Sequence, residues 1–258
     1  MKLSVIIIGY NSWHYLEKNL ASIAFLQNDP QTEIIYVDNA STDGAVDKIR
    51  RLYPNIIIIE NSKNVGVATA RNKGIRMARG KYLWFLDSDT EVSEIPLTTM
   101  LTFMDEHPEV GLCGCKIVGY DEKVQSSCRK FPTIAYKLKA VIHIIAKKGH
   151  LNIYSSSQQN TYDTDVEAPF EVDYVIGACQ IIRKKAQEQI GVLDEHIFYG
   201  PEDADFCLRM KRGGFQVFYL PQVSIYHAYQ RTSSHRFLSK TTREHIKGLI
   251  YYFWKYRK

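Results

Sequence analysis

A chain of 258 residues with 45% hydrophobic and 24% charged side chains is long enough to bury a sizeable core. The net charge of +5 is modest and spread along the sequence, which argues against nucleic acid and leaves a phosphorylated ligand or an anionic membrane surface as partners. The five cysteines form no CxxC pair and read as reduced, buried thiols. No stretch approaches the ~20 apolar residues of a membrane-spanning helix. The opening MKLSVIIIGYNS is strand-like and lacks the cleavage site of a signal peptide, which points to the cytoplasm.

The first elements alternate. Leu3 to Gly9 reads as a buried strand, followed by a helix around Leu16, Leu20 and Ile23. Glu33 to Val37 is a second strand ending in DNASTDG, Val46 to Leu52 a short helix, and NIIIIE a third strand. The stretch NVGVATARNKGIRMARG is an amphipathic helix closed by Gly80, and Tyr82 to Leu86 is the fourth strand. This rhythm predicts an α/β fold with a mostly parallel central sheet, flanked by helices, and a ligand site at the carboxyl ends of its strands.

After Pro96 the pattern changes. A helix over Leu97 to His107 leads to a strand at Val110 to Val118, and SSSQQNTYDTD at 155–165 reads as loop. One strand is expected within FEVDYVIGACQIIRK, a helix capped by Gly213 and Gly214 after GPEDADFCLRMKRGG, and two short strands in QVFYLPQVSIYHAYQRTS. A basic, aromatic helix begins at about Thr241. The expected organisation is one domain over 1–230, with a nucleotide-type front half to about 95 and an irregular back half from 96. A lid segment and the C-terminal helix then occupy 231–258.

Three features carry chemistry. The first strand runs into GYNSWHYL rather than G-x-G-x-x-G, so a dinucleotide site is excluded. Asp38 ends the second strand, where a carboxylate can accept hydrogen bonds from a base or sugar; Asp43 reads as a helix cap. Asp87 and Asp89 end the fourth strand in the same register. Two carboxylates closing an apolar strand repel each other unless neutralised, and their oxygens suit Mn2+ or Mg2+ bridging to a diphosphate.

The motifs SVIIIGYNSWHYL, VDNASTDG, NVGVATARNKGI, YLWFLDSDTEV and GPEDADFCLRMKRGGF, in this order and spacing, resemble glycosyltransferase family 2 and its GT-A fold. VDYVIGACQIIRK and IYHAYQRTS further resemble a branch containing bacterial rhamnosyltransferases. The resemblance implies an inverting, metal-dependent transferase that takes a UDP- or dTDP-sugar, such as dTDP-rhamnose, to a saccharide or lipid-linked acceptor in cell-surface polysaccharide synthesis. Asp38 would hold the pyrimidine base, Asp87 would lie near ribose and metal, and Asp89 would bind the metal directly. Asn11, Gly66 and Ser88, within the same motifs, are assigned to the donor site. Arg71 would reach the base or a phosphate, its alternative being a surface salt bridge. Asp203 would be the base that deprotonates the acceptor, with Glu202 orienting the acceptor or the loop, and His227 would complete the metal site. Asp205 reads as a helix-dipole residue, and Arg231, Thr232 and Ser234 as a lid over the diphosphate.

Two rivals stand beside this reading. A sugar-phosphate nucleotidylyltransferase would need a glycine-rich, arginine-containing loop after the first strand. A non-catalytic nucleotide- or carbohydrate-binding protein would not need Asp203. The C-terminal helix, with its aromatic residues and cations, suits either peripheral contact with an anionic membrane or packing on the core or a second subunit.

Overall fold

A computed structural model describes residues 1–134, 162, 163, 165–228 and 240–257. Four apolar runs become parallel strands, β1 (Leu3–Gly9), β2 (Thr32–Asp38), β3 (Ile57–Glu60) and β4 (Tyr82–Asp87), in the order β3-β2-β1-β4. They need near-continuous apolar sequence because crossover helices cover both faces of such a sheet. The helices are α1 (Trp13–Ser22), α2 (Ala45–Leu52) and α3 (Val67–Met77). Helix α3 packs so tightly that a Cβ added at Gly74 would lie 2.5 Å from Cγ2 of Ile6.

The second half continues the same sheet. After β5 (Thr90–Glu91) and α4 (Glu94–Glu106) come β6 (Val110–Val118), β7 (Val124–Gln125), β8 (Cys128–Arg129), β9 (Phe170–Glu171), β10 (Tyr174–Val175) and β11 (Cys179–Arg183). Then follow α5 (Lys184–Ile190), α6 (Glu202–Arg212), β12 (Gln216–His227) and α7 (Lys240–Lys255). Strand β11 inserts antiparallel between β4 and β6, and the main path runs β3-β2-β1-β4-β11-β6-β12-β5. The two halves therefore share one ladder of backbone hydrogen bonds.

Two expectations are corrected. The single strand expected within 170–184 is three short ones, because Asp173 turns out of the ladder to accept the Phe131 amide at 2.8 Å and Val175 to Cys179 bends at Gly177. The two strands expected in QVFYLPQVSIYH are one, whose register against β6 shifts between Leu220 and Ser224. Pro221 lies in that gap and has no amide to give a ladder, so the chain bulges there without ending. Helix α5 follows β11 without a break and carried no sequence signal.

The core divides into clusters on the two faces of the sheet. Trp84 is fully buried, its indole N–H directed at the Cys179 sulfur at 3.4 Å. All five cysteines are free and buried, as expected. Among the described residues no helix is long and apolar enough to cross a membrane. The lid expected at Arg231, Thr232 and Ser234, and most of the loop at 155–165, lie outside the described residues.

Candidate active site

Register places the first two acidic positions. Gly9 pairs with Asp38 across β1 and β2, and Ile8 with Asp87 across β1 and β4. The two aspartates thus flank the carboxyl end of β1, about 10 Å apart by two strand spacings. The Asp38 carboxylate is buried and accepts the Tyr36 hydroxyl at 3.2 Å and the Ser41 amide at 2.9 Å. The surrounding loops are tied together by short polar side chains. Asn11, held at φ +50°, accepts the Thr42 amide at 2.7 Å, and the Ser88 and Ser12 hydroxyls meet at 2.9 Å. Asp43 accepts the amides of Trp13 (2.8 Å) and Ala45 (3.1 Å), so it caps α1 as well as leading into α2.

Asp87, Asp89 and His227 each offer a ligand atom, all within 4.8 Å of one another. Strand β12 brings the histidine in by pairing His227 with Thr90, although 137 positions separate them in sequence (227 minus 90). Its Nε2 lies 3.3 Å from Asp89 Oδ1. Gln125 fixes the ring: its amide nitrogen donates to the His227 carbonyl at 3.0 Å, which leaves its oxygen to accept from Nδ1 at 2.7 Å. Nδ1 therefore carries the proton in the neutral ring, and the Nε2 lone pair faces the carboxylates. Burial raises the Asp87 pKa, Arg71 opposes the rise and Asp89 adds to it. Burial disfavours the charged imidazole of His227, yet its hydrogen bond to Asp89 and the charges of Asp89 and Asp87 raise its pKa overall. Two carboxylates and an imidazole of fixed tautomer are a donor set that fits Mn2+ or Mg2+.

Arg71 does not lie on the surface. Its guanidinium is buried, donates to Asp87 Oδ1 at 2.7 Å and to the Gly177 carbonyl at 2.8 Å, and stands 3.8 Å from Glu202 Oε1. A Cβ at Gly177 would collide with it, which explains the glycine of VDYVIGAC. Arg71 thus joins the carboxylates of β4 to those that open α6. There Glu202 is buried, accepts the Gly200 amide, and has its pKa pushed up to about 7 by burial and by the charge of Asp203, against Arg71. Burial also raises the half-buried Asp203, with Arg129 opposing. Gly66, at φ +86°, opens α3 where a Cβ would sit 2.5 Å from the Phe198 carbonyl oxygen, and that oxygen accepts the Val67 amide at 2.8 Å. The loop ahead of α6 is thereby seated on the N-terminus of α3.

One edge of the sheet therefore holds a cluster of candidate cation ligands, a buried arginine and a pair of carboxylates with raised pKa values. The family model for glycosyl transferase family 2 matches residues 4–191. The chain belongs to glycosyl transferase family 2. Among curated members it is 25% identical over 237 residues to the N-acetylglucosaminyl-diphospho-decaprenol L-rhamnosyltransferase of Mycobacterium tuberculosis, covering 87% of this chain and 75% of that one. It is 35% identical over 113 residues to the poly(ribitol-phosphate) beta-glucosyltransferase of Bacillus spizizenii, 42% of this chain and 18% of the relative. In fold it matches S. aureus TarS 1-349, solved with UDP-GlcNAc, at a TM-score of 0.58, 22% identity and coverage of 89% and 59%. It likewise matches the mannosyltransferase PcManGT of Pyrobaculum calidifontis, solved with GDP-Man and Mn2+, at 0.62, 20% identity and coverage of 91% and 59%. The chain spans about three fifths of the length of these two solved proteins. The α/β architecture is the GT-A fold that the motifs suggested, with a rhamnosyltransferase among its relatives.

Sequence reasoning passed over two residues. Gln125, which sets the tautomer of His227, sits in a polar stretch with no motif; only the pairing of β7 with β6 brings it to β12. Asp205, read as a dipole residue, is fully buried and gathers Arg209 Nε at 2.9 Å, Lys255 Nζ at 2.6 Å and the Tyr256 hydroxyl at 2.7 Å.

Proposed function

We propose that this family member is an inverting, metal-dependent hexosyl- or rhamnosyltransferase. It moves a sugar from a nucleoside-diphosphate donor, dTDP-rhamnose or a UDP-sugar, to a hydroxyl of a saccharide or lipid-linked acceptor. The setting proposed is cell-surface polysaccharide synthesis at the cytoplasmic face of the membrane. Residues 1–95 form the donor half and 96–230 the acceptor half. The observation that carries the reading is the pairing, through Arg71, of the Asp87–Asp89–His227 cluster with Glu202 and Asp203.

Asp38 meets the base, and Asn11, Gly66 and Ser88 shape the donor loops. Asp87, Asp89 and His227 would hold the Mn2+ or Mg2+, which would supply positive charge for the leaving diphosphate. Arg71 holds Asp87 in place and lies in line to Glu202. Asp203 removes the proton of the acceptor hydroxyl, and burial raises its pKa, which strengthens it as a base. Arg129 and, less strongly, Arg71 oppose the rise at Asp203, whose charge in turn raises Glu202. One base and no covalent nucleophile imply a single displacement and inversion at the anomeric carbon.

Calorimetric titration of UDP or dTDP with Mn2+ tests the division of labour. Asp89→Ala should abolish metal-dependent binding and Asp203→Ala should leave it near the parent value. Equal losses in both would remove Asp203 from the role of base. The anomeric coupling of the product by proton NMR tests the stereochemistry, and retention would refute the single displacement. Turnover of donor in neither the presence nor the absence of acceptors would favour a non-catalytic binder.

A further inference from the structure

Helix α7 has two faces of different chemistry. The inner face is committed to the core. Thr242, Gly248 and Tyr252 are buried, and a Cβ at Gly248 would collide with the Gly200 carbonyl. Lys255 reaches Asp194 Oδ2 at 2.7 Å and Asp205 Oδ1 at 2.6 Å. Packing and membrane contact, opposed as alternatives by the sequence, are thus compatible: one face answers the first and leaves the other available.

The outer face carries three large apolar side chains one helical turn apart, Ile246 at 45% exposure, Ile250 at 64% and Trp254 at 56%. Three cations, Lys240, Arg243 and Lys247, are the other exposed residues of the helix, and exposed Arg257 follows two residues beyond its end. At 100° per residue the exposed residues within the helix fall within an arc of about 120°. No acid is exposed among the described residues of α7; Glu244, half-buried at the margin, pairs with Lys247 at 2.7 Å. Arg257 lies over the Trp254 ring at 5.3 Å, and Lys240 over Phe198 at 5.4 Å.

We propose that this face docks the protein on a bilayer surface rich in anionic lipid. The three apolar side chains enter the interfacial region and the four cations meet headgroup phosphates. Charge decides for lipid over a second copy of the chain, since a two-fold contact through this face would set cations against cations. Exposed isoleucines and tryptophan decide for lipid over a polyanion in water, which gives them nothing to enter. The docking stands on the geometry of α7 and is independent of the catalytic reading. Because the inner face holds Gly200 beside Glu202 and Asp203, a docked helix would fix the distance of that loop from the bilayer.

Flotation of the full chain tests this, using vesicles of phosphatidylcholine alone and of phosphatidylcholine with phosphatidylglycerol in equal parts. The expected result is co-flotation with the anionic vesicles at low salt, weakened by added salt and absent with phosphatidylcholine alone. Each of Arg243→Gln and Lys247→Gln should lower the partition coefficient about fivefold, and Ile250→Glu with Trp254→Glu should abolish binding. Thermal melting and Mn2+–UDP titration of the same variants report folding and the donor site separately. Should the double variant melt early, Trp254→Gln provides the same comparison. The proposal is overturned if the parent chain fails to float at low salt, or floats no better than the folded Ile250, Trp254 or Trp254→Gln variants. A concentration-dependent dimer broken by the same substitutions, with no flotation, would assign the face to a second copy instead.

Discussion

The first turn of α6 carries three carboxylates within four residues, and its two sides behave oppositely. On the α7 side, Asp205 is surrounded by Arg209, Lys255 and Tyr256. The neighbouring Asp194, held by Lys255 and His196 against the cost of burial, has its pKa lowered. On the sheet side, burial raises Glu202 and Asp203, and the Arg71 guanidinium stands 3.8 Å from Glu202. Glu202, Asp203 and Asp205 all sit in the same first turn. Partners distinguish the two sides: Asp205 is tied into a cluster of donors, whereas Glu202 and Asp203 are buried with fewer of them.

The comparison can be broken at its strongest point first. Asp203→Asn should lower sugar transfer about 10²–10⁴-fold, the usual contribution of a positioned base, with little change in melting temperature. Asp205→Asn should do the reverse. Removing one member of a buried ion-pair cluster costs about 3–5 kcal/mol, read by urea denaturation, while turnover per folded molecule stays near the parent value. If both variants lose turnover and both keep their stability, the division between anchor and base is wrong.

Gln125→Leu comes next. Without its partner the His227 ring is free to rotate, and Mn2+ affinity should fall about 10–100-fold, measured by calorimetry. The pH dependence is smaller in amplitude. Transfer should rise as pH climbs through about 7, where the Glu202 carboxyl, raised by burial and by the charge of Asp203, loses its proton. Glu202→Gln removes one like charge and should move that limb to lower pH. Asp194 gives the smallest effect. Its folded-state pKa is depressed, so its stabilisation is present above the ordinary carboxylate value of about 3.9 and fades as pH falls through the lower folded value. Asp194→Asn should therefore flatten the acid limb of a stability-against-pH curve.

Much of the edge was legible because strands advertise their ends. An apolar run that stops at Asp87 and another at Asp38 locate both carboxylates before any coordinate is known, and β1 supplies the register between them. Arg71 was legible as a residue of a motif but not as a bridge. The bridge exists only because Gly177 leaves room, and Gly177 lies 106 positions later (177 minus 71), in the bend just before β11, the strand that pairs antiparallel with β4. Gln125 and Asp205 escaped for the same reason: their partners, His227 and Lys255, are 102 and 50 residues away. Local pattern carries what one element does, whereas pairing between distant elements depends on the closed fold.

The Phe198 carbonyl seated on the Val67 amide has an electrostatic consequence. In many nucleotide-binding sheets the free amides at a helix N-terminus are where a phosphate comes to rest. At α3 the first of those amides is already taken by the chain itself. That dipole end is partly stoppered, so on the proposed function the charge of a bound diphosphate would fall on the cation at Asp87, Asp89 and His227 and on side chains. A chelator should accordingly strip this protein of more nucleotide affinity than it would a sheet whose helix amides cradle the phosphates directly.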